Sequence, residues 1–186
     1  MKKIFLAAVA FLAVQFADAQ TKKIDVKRSS IEWVGKKVTG AHNGTIAFES
    51  GSLTFKNGKL TGGSFVVDMT SITVLDLKAG SGKEKLEGHL KADDFFGVDK
   101  HKKSTLVFKT IKETGKNLYD VTADLTIKGI TKQVSFSFSA EAQMARTVFN
   151  VDRTKYDIKY NSGSFFSNLG DKMINDEFEL AVGLFF

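Results

Sequence analysis

The segment Tyr119 to Ala140, YDVTADLTIKGITKQVSFSFSA, constrains the fold more than any other part of the chain. Its first half sets Tyr119, Val121, Ala123, Leu125 and Ile127 at alternate positions, with Asp120, Thr122, Asp124, Thr126 and Lys128 between them. Its second half sets Val134, Phe136, Phe138 and Ala140 against Ser135, Ser137 and Ser139. Side chains on a strand change face at every residue, so each half predicts a strand with one dry and one wet face. Gly129-Ile130-Thr131-Lys132 between them predicts a hairpin reversal. Two strands alone are marginal in water. The dry face must therefore be covered by a second sheet or by the same sheet curling onto itself.

The rest of the chain repeats this pattern. Ser30 to Val38 predicts a strand with Ile31 and Trp33 on one face, ending in the bend Thr39 to Gly44. Thr45 to Phe55 follows, with a change of parity across Ser50-Gly51 that predicts a bulge or tight turn. Asn57-Gly58 is a strong two-residue hairpin turn, and Leu60 to Met69 returns with Phe65, Val67 and Met69 aligned. Lys83 to Lys91 carries Leu86 and Leu90 at helical spacing and predicts one short helix. Further strands are expected at Ser104 to Ile111, Ala142 to Asp152 and Asp176 to Phe186, with Tyr156, Ile158 and Tyr160 in strand register over Arg153 to Tyr160. Phe165, Phe166 and Leu169 predict a helical turn in an irregular excursion. About eight strands with regular turn signals indicate an all-β sandwich or barrel. The last strand ends in Leu184-Phe185-Phe186, and left open it would invite aggregation. Pairing it with an early strand favours a closed barrel, whose interior at eight strands either just fills or holds one small ligand.

Residues 1–19 read as a cleaved signal peptide: Lys2 and Lys3, an apolar run from Ile4 to Phe16, and Ala17-Asp18-Ala19. That run is about 13 residues, short of the roughly 20 of a spanning helix. Residues 20–186 then form one exported, periplasmic domain, since no linker, repeat or composition shift divides them. The absence of cysteine excludes thiol catalysis, thiolate zinc sites and iron–sulfur clusters. The net charge of +6 is spread along the chain and reads as a mixed-sign soluble surface, with no nucleic-acid partner. It leaves open a transient contact with anionic membrane lipid. Signals for catalysis are thin. Gly80-Ser81-Gly82-Lys83 lacks the spacing and the hydroxyl residue of a phosphate loop. Asp93-Asp94 fits a helix-ending turn, and His42, His89 and His101 have no metal-ligand spacing. No serine stands in a nucleophile elbow. No catalytic residue, metal site or cofactor is expected. The compositional oddity is 17 phenylalanines, many at alternate positions, which suit a filled core or a cavity for a long apolar ligand.

A series of landmarks spans nearly the whole mature chain. His42 and Gly44 stand in a bend followed by Phe48 and a Gly-containing turn. Val67-Asp68-Met69-Thr70-Ser71-Ile72 comes next, then His89-Leu90 with Asp94-Phe95-Phe96 close behind. The hairpin Asp124-Leu125-Thr126-Ile127-Lys128-Gly129-Ile130-Thr131-Lys132 and the stretch Arg153 to Tyr156 complete it. In this order they resemble the YceI-like family of periplasmic, polyisoprenoid-binding proteins. The chain departs from the pattern at Lys100-His101-Lys102, where the family usually has Tyr-Pro, and at Ala123, where a Gly often stands. The resemblance implies an antiparallel, lipocalin-like eight-stranded barrel with one or two short helices. It also implies an apolar tunnel for an isoprenoid chain, as in quinones or polyprenyl phosphates. On that reading Phe48, Phe65, Val67, Phe108, Leu125, Phe136, Phe138 and Leu180 line the tunnel. The Phe95-Phe96 turn and the excursion around Phe165-Phe166 gate its mouth, Leu90 is a further ligand contact, and His42 and Arg153 are the candidate headgroup contacts. Each lining position reads equally as core packing. A barrel enzyme of isoprenoid or quinone metabolism and a structural protein with a filled core remain as alternatives, and a homodimer is left open.

Overall fold

The structure, a computed structural model, describes residues 19–186. The expected export signal lies outside the described residues save for Ala19. Nine strands and one helix follow in order: β1 Gln20–Lys23, β2 Ser30–Lys37, β3 Gly40–Lys56, β4 Lys59–Val74, α1 Lys83–Lys91, β5 Lys103–Gly115, β6 Leu118–Ile127, β7 Ile130–Ala140, β8 Met144–Asp152 and β9 Ile174–Phe185. Eight of them close an antiparallel barrel in the order β3-β2-β9-β8-β7-β6-β5-β4, with β4 pairing back onto β3. The long strand β3 makes closure possible. Its first part pairs with β2 and its last part with β1 on one edge, while β4 runs along the other. The apolar last strand, β9, lies between β2 and β8, so its edges are paired as its sequence requires.

Local chemistry sets the turns. Asn57 and Gly58 both have positive φ, as the two-residue hairpin demands. The expected reversal at Gly129–Lys132 is displaced by one residue. Lys128 (φ 51°) and Gly129 (φ 73°) form the turn, and Ile130 already pairs with Ile127. Starting β7 at Ile130 keeps Val134, Phe136 and Phe138 inward. The parity change near Gly51 is a bulge, since Phe48 pairs with Val67 and Ser50 with Val66. The ring of Phe65 lies over Gly51, where a Cβ would approach it to 2.5 Å, so the missing side chain is filled by an aromatic.

Two other expectations are corrected. Arg153–Tyr156 is a 3-10 turn, not a strand. Asp152 caps it by accepting from the Thr154 N–H at 3.0 Å, and Asp157 ends it in the left-handed region. The alternation of Tyr156 and Ile158 marks burial by a turn that packs against β7, not a ladder. The helical turn expected around Phe165–Leu169 is instead a 3-10 turn at Gly170–Lys172. Phe165 and Phe166 precede it in hydrogen-bonded turns closed on Ser162 O.

The two ends of the barrel differ. One end carries the tight turns after β3, β5 and β7, and closes over Phe55, Leu60 and Tyr119. The other carries both long connections, residues 75–102 with α1 and residues 153–173. The core divides accordingly into a phenylalanine-rich cluster at the hairpin end and a cluster of Trp33, Leu90, Phe95, Phe96 and Tyr156 at the other.

Candidate ligand-binding site

Alternation along eight strands turns one side chain in two toward the axis, and these residues do not meet in the middle. Two apolar cavities remain, of about 140 Å³ toward the α1 end and about 80 Å³ toward the hairpin end. Ile31, Val67, Ser104, Leu125 and Leu180 line both, so the two abut at a waist. The lower cavity is walled by a run of rings. Phe48 meets Phe65 at 6.0 Å between centroids, Phe65 meets Phe108 at 5.7 Å, Phe108 meets Phe138 at 5.4 Å, and Phe136 stacks on Phe149 at 4.7 Å. Rings of this size are stiff, and around a shared axis they leave a bore that none of them can fill. The upper cavity is capped by Leu90 of α1 and by Phe95 and Phe96 just after it. Apolar voids of this size stay dry and take apolar guests, whereas water needs several polar partners.

The upper cavity reaches the surface between β2 and β9. Half-buried Gly35 and exposed Asn175 and Glu177 all line it. A break in the ladder makes this mouth. Gly35 pairs with Phe178 but Lys37 with Ile174, so β9 carries extra residues over that step. Gly35 has the parity of Ile31 and Trp33 and so faces inward, yet a Cβ there would have nothing within 4 Å. The carbonyls released by the break are taken by a buried cation. Arg153 Nε donates to Asn175 O at 3.0 Å, Nη2 to Ile174 O at 2.9 Å and Nη1 to Ile158 O at 2.8 Å. Asp176 Oδ1 lies 3.6 Å from Nη2. Burial pulls the Arg153 pKa down, against the opposing pull of Asp176 and Asp152. Three of the five guanidinium N–H groups are thus committed to backbone carbonyls. Burial also pushes the Tyr156 hydroxyl up to about 12, and its oxygen has no partner. Asp176 accepts from Ser164 Oγ. Burial pushes its carboxyl up, but Ser162, Ser164 and Arg153 outweigh that and hold it below its ordinary value.

The structure gathers most of the sequence-derived site residues around one bore. Val67, Leu90, Phe95, Phe96, Leu125, Arg153 and Leu180 line the upper cavity. Phe48, Phe65, Phe108, Phe136 and Phe138, again with Val67, Leu125 and Leu180, line the lower. His42 and Phe165 line neither. His42 Nδ1 is 2.7 Å from Asp76, which also accepts from the Asn43 N–H at 3.0 Å, so it ties β3 to the connection after β4. Phe165 is half exposed on the 153–173 connection. Sequence reasoning passed over Gly35, Ser104, Asn175 and Glu177. Ser104 was findable, since it shares the parity of Leu106 and Phe108. Its hydroxyl is buried at the waist without a partner. Among the described residues no cluster of His, Asp or Glu could hold a metal ion.

The profile of the YceI-like domain matches residues 23–186. The chain belongs to the YceI-like family. A relative from Pseudomonas putida, a UPF0312 protein, is 32% identical over 151 residues, covering 77% of this chain and 76% of its own. A UPF0312 protein of Staphylococcus aureus is 31% identical over 100 residues, covering 48% and 56%. Among solved structures, Burkholderia cenocepacia BcnA superposes with a TM-score of 0.70 at 21% identity, over 87% of this chain and 98% of that one. A polyisoprenoid binding domain from Saccharophagus degradans gives 0.59 at 15% identity, over 91% and 98%. The Campylobacter jejuni YCEI protein gives 0.55 at 13%, over 98% and 96%. At these identities the structural matches speak for the fold. The YceI-like barrel is thus the frame on which this chain places its paired cavities and its lateral mouth.

Proposed function

We propose that the protein is an exported carrier or store for an isoprenoid lipid, whose chain lies along the two abutting cavities. The observation that carries this reading is a bore lined by rings and aliphatic chains, closed at the hairpin end and open beside Gly35. A ten-carbon stretch contributes roughly 8 kcal/mol on burial, similar in size to the cost of association. Useful affinity therefore requires a longer chain that spans both cavities. The Saccharophagus neighbour, a polyisoprenoid binding domain, supports the choice of lipid. The amino-terminal Lys-Lys, apolar and small-residue pattern supports export to the periplasm. The reading is one of binding, not catalysis. Neither His42 nor His89 lines a cavity, and the charged groups that do, Arg153 and Glu177, sit at the mouth.

Native mass spectrometry of protein purified from an exporting host is expected to show an adduct of lipid mass. The variant Gly35→Phe places a ring in the open space of the upper cavity without strain on the backbone. It should fold normally and lose the adduct. Repeated absence of any adduct from membrane-rich preparations, or an adduct unchanged in Gly35→Phe, would count against the tunnel.

A further inference from the structure

The mouth opens below a corner where exposed aromatics and cations stand together. The Val38 N–H donates to Met173 O at 3.3 Å, Lys37 pairs with Ile174, and Ser162 bridges Ile174. These contacts hold the β2–β3 turn against the 161–173 connection. Val38, Phe165 and Phe166 are 54%, 51% and 51% exposed. Lys159 Nζ lies 5.1 Å from the centre of the Phe165 ring and 2.8 Å from Asp157. Segments 36–39 and 157–173 carry Lys36, Lys37, Lys159 and Lys172 against Asp157 and Asp171. Among the described residues, Lys36, Lys37 and Lys172 have no carboxylate in ion-pair range.

We infer that this corner docks on an anionic lipid bilayer. Phe165, Phe166 and Val38 enter the headgroup region, and the lysines lie against lipid phosphates. The charge balance selects the occupant. A second copy would bring the same excess of cations against itself across a two-fold axis. A protein partner would need a larger contiguous surface than three apolar side chains supply. A bilayer needs only a few aromatic and basic anchors. So small an anchor binds reversibly, and it holds the mouth beside Gly35 at the depth where a lipid tail leaves the membrane. The purpose of docking rests on the lipid-binding reading, but the docking chemistry does not.

The test is flotation of the purified protein with vesicles of phosphatidylcholine alone or of equal parts phosphatidylcholine and phosphatidylglycerol, at low salt. Binding is expected to the mixed vesicles only. All substituted positions are exposed, so Phe165→Ser with Phe166→Ser, and Lys36→Gln with Lys37→Gln and Lys172→Gln, should melt like the parent. Each set should weaken vesicle binding by about tenfold or more, while the lipid adduct seen by native mass spectrometry persists. Failure to bind mixed vesicles, or binding unchanged in both sets, overturns the docking surface. So does a dimer in sedimentation equilibrium that Phe165→Ser with Phe166→Ser dissolves, since the patch would then belong to a second copy. Docking without any lipid adduct would sink the carrier reading and leave the surface standing.

Discussion

Ser104→Ala should make the ligand-free protein more stable. Ser104 sits on β5 opposite Val67 of β4 and points into the waist between the two cavities. Its hydroxyl is out of reach of solvent and has no hydrogen-bond partner. Leaving such a group unpaired in an apolar setting costs about 1–3 kcal/mol. Alanine keeps the strand and the Cβ and removes only the oxygen, so the expected gain is about 1 kcal/mol. For a chain of this size that raises Tm by roughly 2–4 °C. Ser104→Val should gain at least as much, because its methyl groups meet Ile31, Leu125 and Leu180. It should also narrow the waist and reduce the lipid adduct, which separates its effect on binding from its effect on folding. Scanning calorimetry of delipidated protein reads the first quantity and native mass spectrometry the second. A fall in Tm of more than about 2 °C for Ser104→Ala would refute the argument. It would mean that the hydroxyl is bonded within the protein and that the waist is not a dry wall.

Phe138 is 2% exposed and packs on Phe108, so Phe138→Ala should cost about 3–5 kcal/mol. A thermal melt lowered by roughly 6–20 °C checks it, and a loss below 1 kcal/mol would mean the ring wall is dispensable. Arg153→Lys should fail to restore stability, since an ammonium cannot meet three carbonyls held in a plane by a guanidinium. Urea titration is expected to show a loss of at least about 3 kcal/mol, and a parent-like midpoint would contradict this account of the mouth. Asp176 has a folded-state pKa below the unfolded value of 3.8, so its stabilisation is complete above that value and is lost as pH falls through the folded one. Melting curves of the parent and of Asp176→Asn between pH 7 and pH 2 should therefore converge only at the acid end. Parallel curves throughout would remove Asp176 from the mouth's support.

The barrel was legible because strand periodicity and turn chemistry are local. Asn57-Gly58, the alternation of β6 and β7, and the apolar last strand each carry their own instruction. The ring-lined lower cavity was legible for the same reason, since parity alone assigns Phe48, Phe65, Phe108, Phe136 and Phe138 to the inside. The mouth was not. It arises where β2 and β9, distant in sequence, fall out of register at Gly35 and Ile174, and register between distant strands is not written in either one. Arg153 shows the consequence. In sequence it is a cation before an alternating stretch, and a headgroup contact is a fair reading. In space three of its N–H groups are committed to carbonyls, two of which the register break sets free.

That commitment changes what Arg153 can do for a ligand. A guanidinium exposed at a mouth would draw an anionic headgroup by charge alone. Here Asp176 stands 3.6 Å away and Glu177 lines the same rim, so two carboxylates face one guanidinium and the mouth offers an anion no net positive charge. The free lysines are displaced to the corner above, at Lys36, Lys37 and Lys172. Attraction for a charged surface and accommodation of an apolar chain are thus assigned to different residues. The first is a matter of exposed cations that salt can screen, and the second of ring packing that it cannot. Raising the ionic strength should therefore release the protein from anionic vesicles while leaving the lipid adduct intact. Loss of both together would place the charge inside the tunnel's own recognition, and would reverse this assignment.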